Sequence, residues 1–190
     1  MKFTQIPEST FEELQLNSGI LLNTFDPETG AFSRENIIGA TSGGVTFTDA
    51  PVYIDFGEDI DNCPRNTKEL KRVDDRDITL SGTYVTVNTQ IAKDLAAAAD
   101  ASDDGKITPR NLLKDSDFSD IWWVGDYSDV NSGNSAGFIA IHIMNALSTG
   151  GLSLTSGDNA KGTYSFTYTA HYSLDDPEKV PYEMYIKQGE

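Results

Sequence analysis

Cysteine, histidine and positive charge are all scarce in this chain. Its 190 residues include one cysteine, Cys63, and two histidines, His142 and His171. A single thiol cannot form a disulfide framework and agrees with a reducing compartment. No histidine lies close to Cys63 in sequence to activate it, so it reads as a small side chain in a loop beside Pro64. The two histidines fall on separate segments, and no zinc ligand set can be assembled from these residues. No stretch approaches the roughly 20 apolar residues that span a bilayer. The opening MKFTQIPEST has no apolar run of the secretory type, so the expectation is a chain made and kept in a cytoplasm, with no membrane partner. A nucleophile elbow, a P-loop and a GxGxxG turn are also missing. Neither catalytic residues nor a cofactor is expected.

The shortage of positive charge says more. Fourteen basic side chains face thirty acidic ones, a formal net charge of −16. Such a surface repels the phosphate backbone and disfavours gripping nucleic acid. It suits a surface that nucleic acid passes without sticking.

What the chain does have is alternation. In KGTYSFTYTAHYSL, residues 161–174, one face carries Tyr164, Phe166, Tyr168, Ala170, Tyr172 and Leu174. The other carries Thr163, Ser165, Thr167, Thr169, His171 and Ser173. A two-residue period of this kind is a half-buried strand. Its polar face is a run of small hydroxyls with almost no charge. ITLSGTYVTV, residues 78–87, repeats the pattern, with Ile78, Leu80, Gly82 and Tyr84 opposite Thr79, Ser81 and Thr83.

Further strands are expected over residues 45–56, opened by a turn at Ser42-Gly43-Gly44, and over 120–127, 137–147, 150–154 and 180–189. Turn signals at Asp26 to Gly30, Asn131-Ser132-Gly133, Gly150-Gly151 and Ser156 to Asn159 separate these elements. Asn88 is a helix cap, and Ile91, Leu95 and Ala98 follow at helical spacing. One helix is therefore predicted over 88–99, with Lys93 and Asp94 in solvent. These elements describe a mainly β chain with one flanking α-helix, a β-sandwich or barrel. A single domain over 1–190 is expected, with an amino-terminal arm and first strand in 1–30.

Three segments invite a chemical reading. DASDDGKITPRN, residues 100–111, sets Asp100, Ser102, Asp104 and Thr108 at calcium-loop spacing, with Gly105 at the turn. Asn111 stands where the bidentate carboxylate belongs, so the segment reads as a polar connection and no metal ligands are assigned. Trp122 and Trp123 could form a sugar platform, but strand neighbours point to opposite faces. The expectation is one tryptophan inward and one at an interface. The connection GEDIDNCPRNTKELKRVDDRD, residues 57–77, orders an acidic block, Glu58, Asp59 and Asp61, before a basic one, Arg65, Lys68, Lys71 and Arg72. Opposite charges on one loop suit docking onto another copy of the same chain.

TFEELQLNSGILL, DFGEDIDNCPRNTKELKRVDD, DIWWVGDYSD, GFIAIHIMNALSTGG and KGTYSFTYTAHYSLDDPEKVPYEMYIK together resemble the major tail tube proteins of long-tailed, siphovirus-like bacteriophages and prophages. The resemblance spans nearly the whole chain. It implies a β-sandwich of the phage tail tube type and a virion structural protein, present in the host cytoplasm before assembly. It further implies hexameric rings stacked into a hollow conduit for genome delivery, with tail-tip, tape-measure and terminator proteins as partners. The hydroxyls Thr79, Ser81, Thr83, Thr163, Ser165 and Thr167 are then expected to face the channel. Loop 57–77 is expected to reach an adjacent subunit. The rival from the residues alone is a soluble β-sandwich module that binds carbohydrate or calcium.

Overall fold

The computed structural model describes residues 3, 5–127 and 137–189. The expected turn at Asn131-Ser132-Gly133 lies outside the described residues. The chain is mainly β, as the alternating segments require. A 3-10 turn at Glu8–Glu12 precedes β1 (Gln15–Leu22), followed by β2 (Thr41–Asp55) and β3 (Lys71–Tyr84). The helix α1 (Thr89–Leu95) leads into a small hairpin of β4 (Ala99–Ala101) and β5 (Ile107–Pro109). The rest is β6 (Ser119–Tyr127), β7 (Gly137–Ser148), β8 (Ser153–Thr155), β9 (Thr163–Thr169) and β10 (Tyr182–Lys187). Among the described residues no helix is long and apolar enough to cross a membrane.

Eight strands form one antiparallel sheet in the order β1-β6-β7-β9-β3-β2, with β10 beside β7 and β8 beside β9. Strand β7 changes partner along its length. Phe138 to Ile143 pair with β10, whereas Leu147 and Ser148 pair with β9. Between them Asn145 sits at φ +48°, a left-handed position that asparagine tolerates better than most residues. Bending there lets one long sheet fold over a shared core.

That core joins both halves of the sheet. Leu21, Ile121, Ile141 and Ile143 from one half meet Ile78, Leu80, Tyr84, Phe166 and Tyr168 from the other. Ile91 and Leu95 of α1 close it, both essentially unexposed. The opposite side of β6 and β7 holds a second cluster, in which Phe25 covers Leu22, Trp122 and Ala140. Strands with apolar residues on consecutive positions, such as DIWWV and FIAIHI, are thus buried on both faces.

Several boundaries differ from the sequence reading, each for a physical reason. Gly43 and Gly44 are not a turn. They lie inside β2 at φ +81° and +84°, where a bulge shifts the register between Thr41 and Val45. The 57–77 connection shrinks to residues 56–70, because β2 and β3 stay paired out to Asp55 and Lys71. Lys71 and Arg72 therefore sit on a strand. The outer part of this hairpin is solvated on both sides, so its residues need not alternate, and a second bulge at Val52 and Tyr53 breaks the period further. Strand β9 ends at Thr169, leaving Tyr172 and Leu174 exposed instead of on the core face. The predicted strand over 150–154 reduces to β8.

Helix α1 is shorter than expected, with Asn88 as its cap. The Asn88 side-chain carbonyl accepts from the Ile91 N–H at 2.8 Å. Ala97, at φ +57°, terminates the turn, so Ala98 lies beyond the helix. Lys93 is half-buried, not solvated, and so is Asp94. Its burial raises the carboxyl pKa to about 6, although the Gln90 amide donates to it at 2.7 Å.

Candidate assembly surfaces

The hydroxyl residues of two distant segments come together on one face. Directly opposed residues of neighbouring strands share a face of the sheet. Between β3 and β9 the register places Thr79 opposite Thr169, Ser81 opposite Thr167 and Thr83 opposite Ser165. On the far side of β3, Thr46 and Thr48 of β2 oppose Ser81 and Thr79. On the far side of β9, Ser153 and Thr155 of β8 oppose Ser165 and Thr163. Rows such as Thr46-Ser81-Thr167 therefore run straight across the sheet. The reverse face carries Phe47, Leu80 and Tyr168 into the core.

All six hydroxyls singled out from the sequence lie on this face, and each is exposed or half-buried. Thr46, Thr48, Ser153 and Thr155 join them. The first two carried a readable signal, since VTFTD alternates as strictly as TYSFTYT. The charge on this face is confined to its end near the hairpin tip, where Asp77 and Asp75 oppose Ala50 and Val52 and, one step further out, Arg72 opposes Ile54.

The β2–β3 hairpin continues past that face. Its outer part exposes Val52, Tyr53, Ile54, Phe56 and Val73, an apolar content that ordinary solvent exposure does not call for. Of the seven residues expected to contact a neighbour, Glu58, Asp59, Asp61, Arg65 and Lys68 occupy the end loop, while Lys71 and Arg72 stand on β3. Asp55 shapes the loop: its carboxylate accepts the N–H groups of Gly57 and Asn66, each at 2.9 Å. Those bonds hold its pKa below the usual carboxylate range. Lys71 extends over the Tyr53 ring, 5.1 Å from its centroid.

A polar cluster fixes the hairpin root to the other half of the sheet. Arg76 of β3 pairs with Asp49 of β2, both largely buried. The Tyr182 hydroxyl of β10 donates to the same carboxylate at 2.9 Å, which raises the phenol pKa. Phe47 packs against the Tyr182 ring at 5.2 Å. The projecting hairpin thus leaves the body from a braced base.

The remaining chemical candidates resolve into structure. Residues 100–111 form the β4–β5 hairpin, which sets Asp100 opposite Thr108. The Asp100 carboxylate is engaged by Arg110 and Lys114, each at 3.0 Å. Arg110 also grips Asp117, whose side chain is fully buried. Burial works against that carboxylate, yet the Lys114 N–H and Arg110 outweigh it and keep its pKa low. Among the described residues no three His, Cys, Asp or Glu gather as a metal site. Trp122 and Trp123 do point to opposite faces, but neither forms a free platform. Trp122 is 8% exposed and stacks on His142 at 4.0 Å, while the Trp123 indole donates to the Ser18 carbonyl at 3.0 Å.

No family model matches this chain. No curated protein matches it either.

Proposed function

We propose that this protein is a bacteriophage tail tube subunit, with a β-sandwich of the tail tube type that assembles as stacked hexameric rings around a channel for DNA. One observation carries the reading. The hydroxyls of β2, β3, β8 and β9 form one continuous uncharged face, with Asp77, Asp75 and Arg72 only at its hairpin end. The hydroxyl rows offer hydrogen bonds but no cation to hold a phosphate, so a polyanion slides along them. The net charge of −16 acts in the same direction.

Two further features support assembly. Strands β2 and β1 end the sheet, and open edges are removed when neighbouring subunits continue a sheet around a ring. Apolar side chains stand exposed at Phe11, Phe56, Leu112, Leu154 and Leu174, on several separate segments. A subunit surrounded by copies of itself buries such positions. Tail-tip, tape-measure and terminator proteins would be its partners in the virion tail.

Negative-stain electron microscopy of the purified protein at high concentration tests the reading. Rings or tubes with a central channel are expected. Isolated particles at every concentration and salt condition, including in the presence of tail-tip components, would overturn it.

A further inference from the structure

Two elements of this chain expose apolar side chains beside charges of opposite sign. The first is the amino-terminal arm. Ile6, Phe11 and Leu14 are exposed by 63%, 68% and 40%. Residues 5–14 are otherwise polar, and their charges are Glu8, Glu12 and Glu13, with no basic residue from there until Arg34. The hydrogen bonds found within the arm are local, from the Thr10 N–H and hydroxyl to the Pro7 carbonyl and from the Glu13 N–H to the Thr10 carbonyl. Among the described residues, none of its three glutamates is in an ion pair.

The second is the tip of the β2–β3 hairpin. It combines the exposed Tyr53, Ile54, Phe56 and Val73 with Arg65, Lys68, Lys71 and Arg72. Lys68 pairs only with its sequence neighbour Glu69, at 3.5 Å and in full solvent. Among the described residues, Arg65, Lys71 and Arg72 have no carboxylate within ion-pair distance. Four cations and one anion within residues 65–72 make this flank of the tip basic, while Glu58, Asp59 and Asp61 occupy the other flank of the loop. At Leu112 and Leu113, by contrast, the flanking cations Arg110 and Lys114 are already paired with aspartates.

We propose that the acidic, apolar arm of one copy docks on the basic flank of the hairpin tip, residues 65–72 with the apolar side chains beside them, of a second copy. This rests on the reading that the protein self-assembles, and it names the two surfaces that meet. Phe11 and Ile6 would cover the apolar side chains of the tip, while Glu8, Glu12 and Glu13 would face Lys68, Lys71 and Arg72. Desolvated apolar contact supplies the affinity, and the charges fix orientation and exclude like-with-like pairing. Because arm and hairpin are different surfaces, the contact is head to tail, and it either closes into a ring or continues from copy to copy.

The test uses full-length chains. The arm reversal (Glu8→Lys, Glu12→Lys, Glu13→Lys) and the hairpin reversal (Lys68→Glu, Lys71→Glu, Arg72→Glu) should each weaken self-association on the order of tenfold or more by sedimentation. Mixing the two variants should restore it, since each arm then meets a hairpin of opposite charge. The native Cys63 in the hairpin loop supplies an independent readout. A chain carrying Ser9→Cys with Cys63→Ser, mixed with the unmodified chain and treated with oxidised glutathione as the two-electron oxidant, should give an intermolecular disulfide between the thiol introduced at position 9 and the native Cys63. Rings or tubes without that cross-link, and no rescue on mixing, would overturn the docking while leaving the tube reading intact. The cross-link in a protein that forms no rings or tubes would support the docking and defeat the tube reading. In a chain carrying Ser9→Cys alone, a cross-link formed only within each chain would also overturn the proposal.

Discussion

Ser81 on β3 stands directly opposite Thr167 on β9, and both turn their hydroxyls away from the core. The pairing makes two separate sequence patterns into one surface. It also explains why neither strand tolerates a slip: a shift of one residue would exchange Leu80 and Tyr168 for those hydroxyls.

That surface is open to a charge test. Ser165→Arg with Thr167→Arg should leave the fold intact, because Ser165 is exposed and Thr167 only half-buried. The unmodified protein should show no binding to DNA in fluorescence anisotropy. The variant, once assembled, should bind, and its affinity should fall linearly with the logarithm of salt concentration. Absence of salt-dependent binding by assembled variant would remove this face from the channel.

Leu95 anchors the helix to the core with no exposed surface. Leu95→Ala should cost about 2–5 kcal/mol in denaturant unfolding, the range for emptying a buried leucine site. A loss below about 0.5 kcal/mol would mean that α1 does not contribute to the core.

Asp94 gives a stability signature in pH. Its folded pKa, about 6, lies above the ordinary 3.8 because burial penalises the charged form. Between those values the folded chain retains a proton that the unfolded chain has released. The benefit is complete below 3.8 and is lost as pH rises through 6. Asp94→Asn should therefore be near neutral at about pH 4 and stabilising by roughly 1–2 kcal/mol at pH 7.5, a figure discounted for partial exposure. A stabilisation that does not change with pH would refute this origin.

Gly19 and Gly43 separate close approach from backbone conformation. Both have positive φ, +69° and +81°. An added Cβ at Gly19 would fall 2.6 Å from the Trp123 indole nitrogen and the Val124 carbonyl, whereas at Gly43 it would meet nothing. Gly43→Ala should cost only the left-handed backbone term, about 1–2 kcal/mol. Gly19→Ala should cost more, about 2–4 kcal/mol, and quench or shift the Trp123 fluorescence. Equal losses at the two sites would show that the close packing at Gly19 is unimportant.

The structure also shows where local pattern stops being readable. The alternation of TYSFTYT and ITLSGTY identified strands and faces because each has one side in the core and one outside. The Asn88 cap and the spacing of Ile91 and Leu95 located the helix for an equally local reason. The β2–β3 hairpin escaped because its outer half has no buried face. Without a core to select side chains, KRVDDRD pairs with β2 through a bulge and still resembles a loop. Gly43 and Gly44 misled in a related way, since positive φ serves a bulge inside a strand as well as a turn between strands.

By itself, then, the sequence determined the mainly β character, the capped helix, the acidic surface and which side of each alternating strand is polar. All of these follow from periods of two or 3.6 residues and from charge, which need only neighbours along the chain. The tertiary structure decided which strands lie side by side. It brought Thr46, Ser81 and Thr167 into one row, bent β7 at Asn145, and buried Trp122 beneath Phe25. It also braced the hairpin through Asp49, Arg76 and Tyr182. Those outcomes depend on hydrogen-bond register and on how one folded sheet fills its core, and register between strands far apart in the chain is fixed only when the whole core is packed.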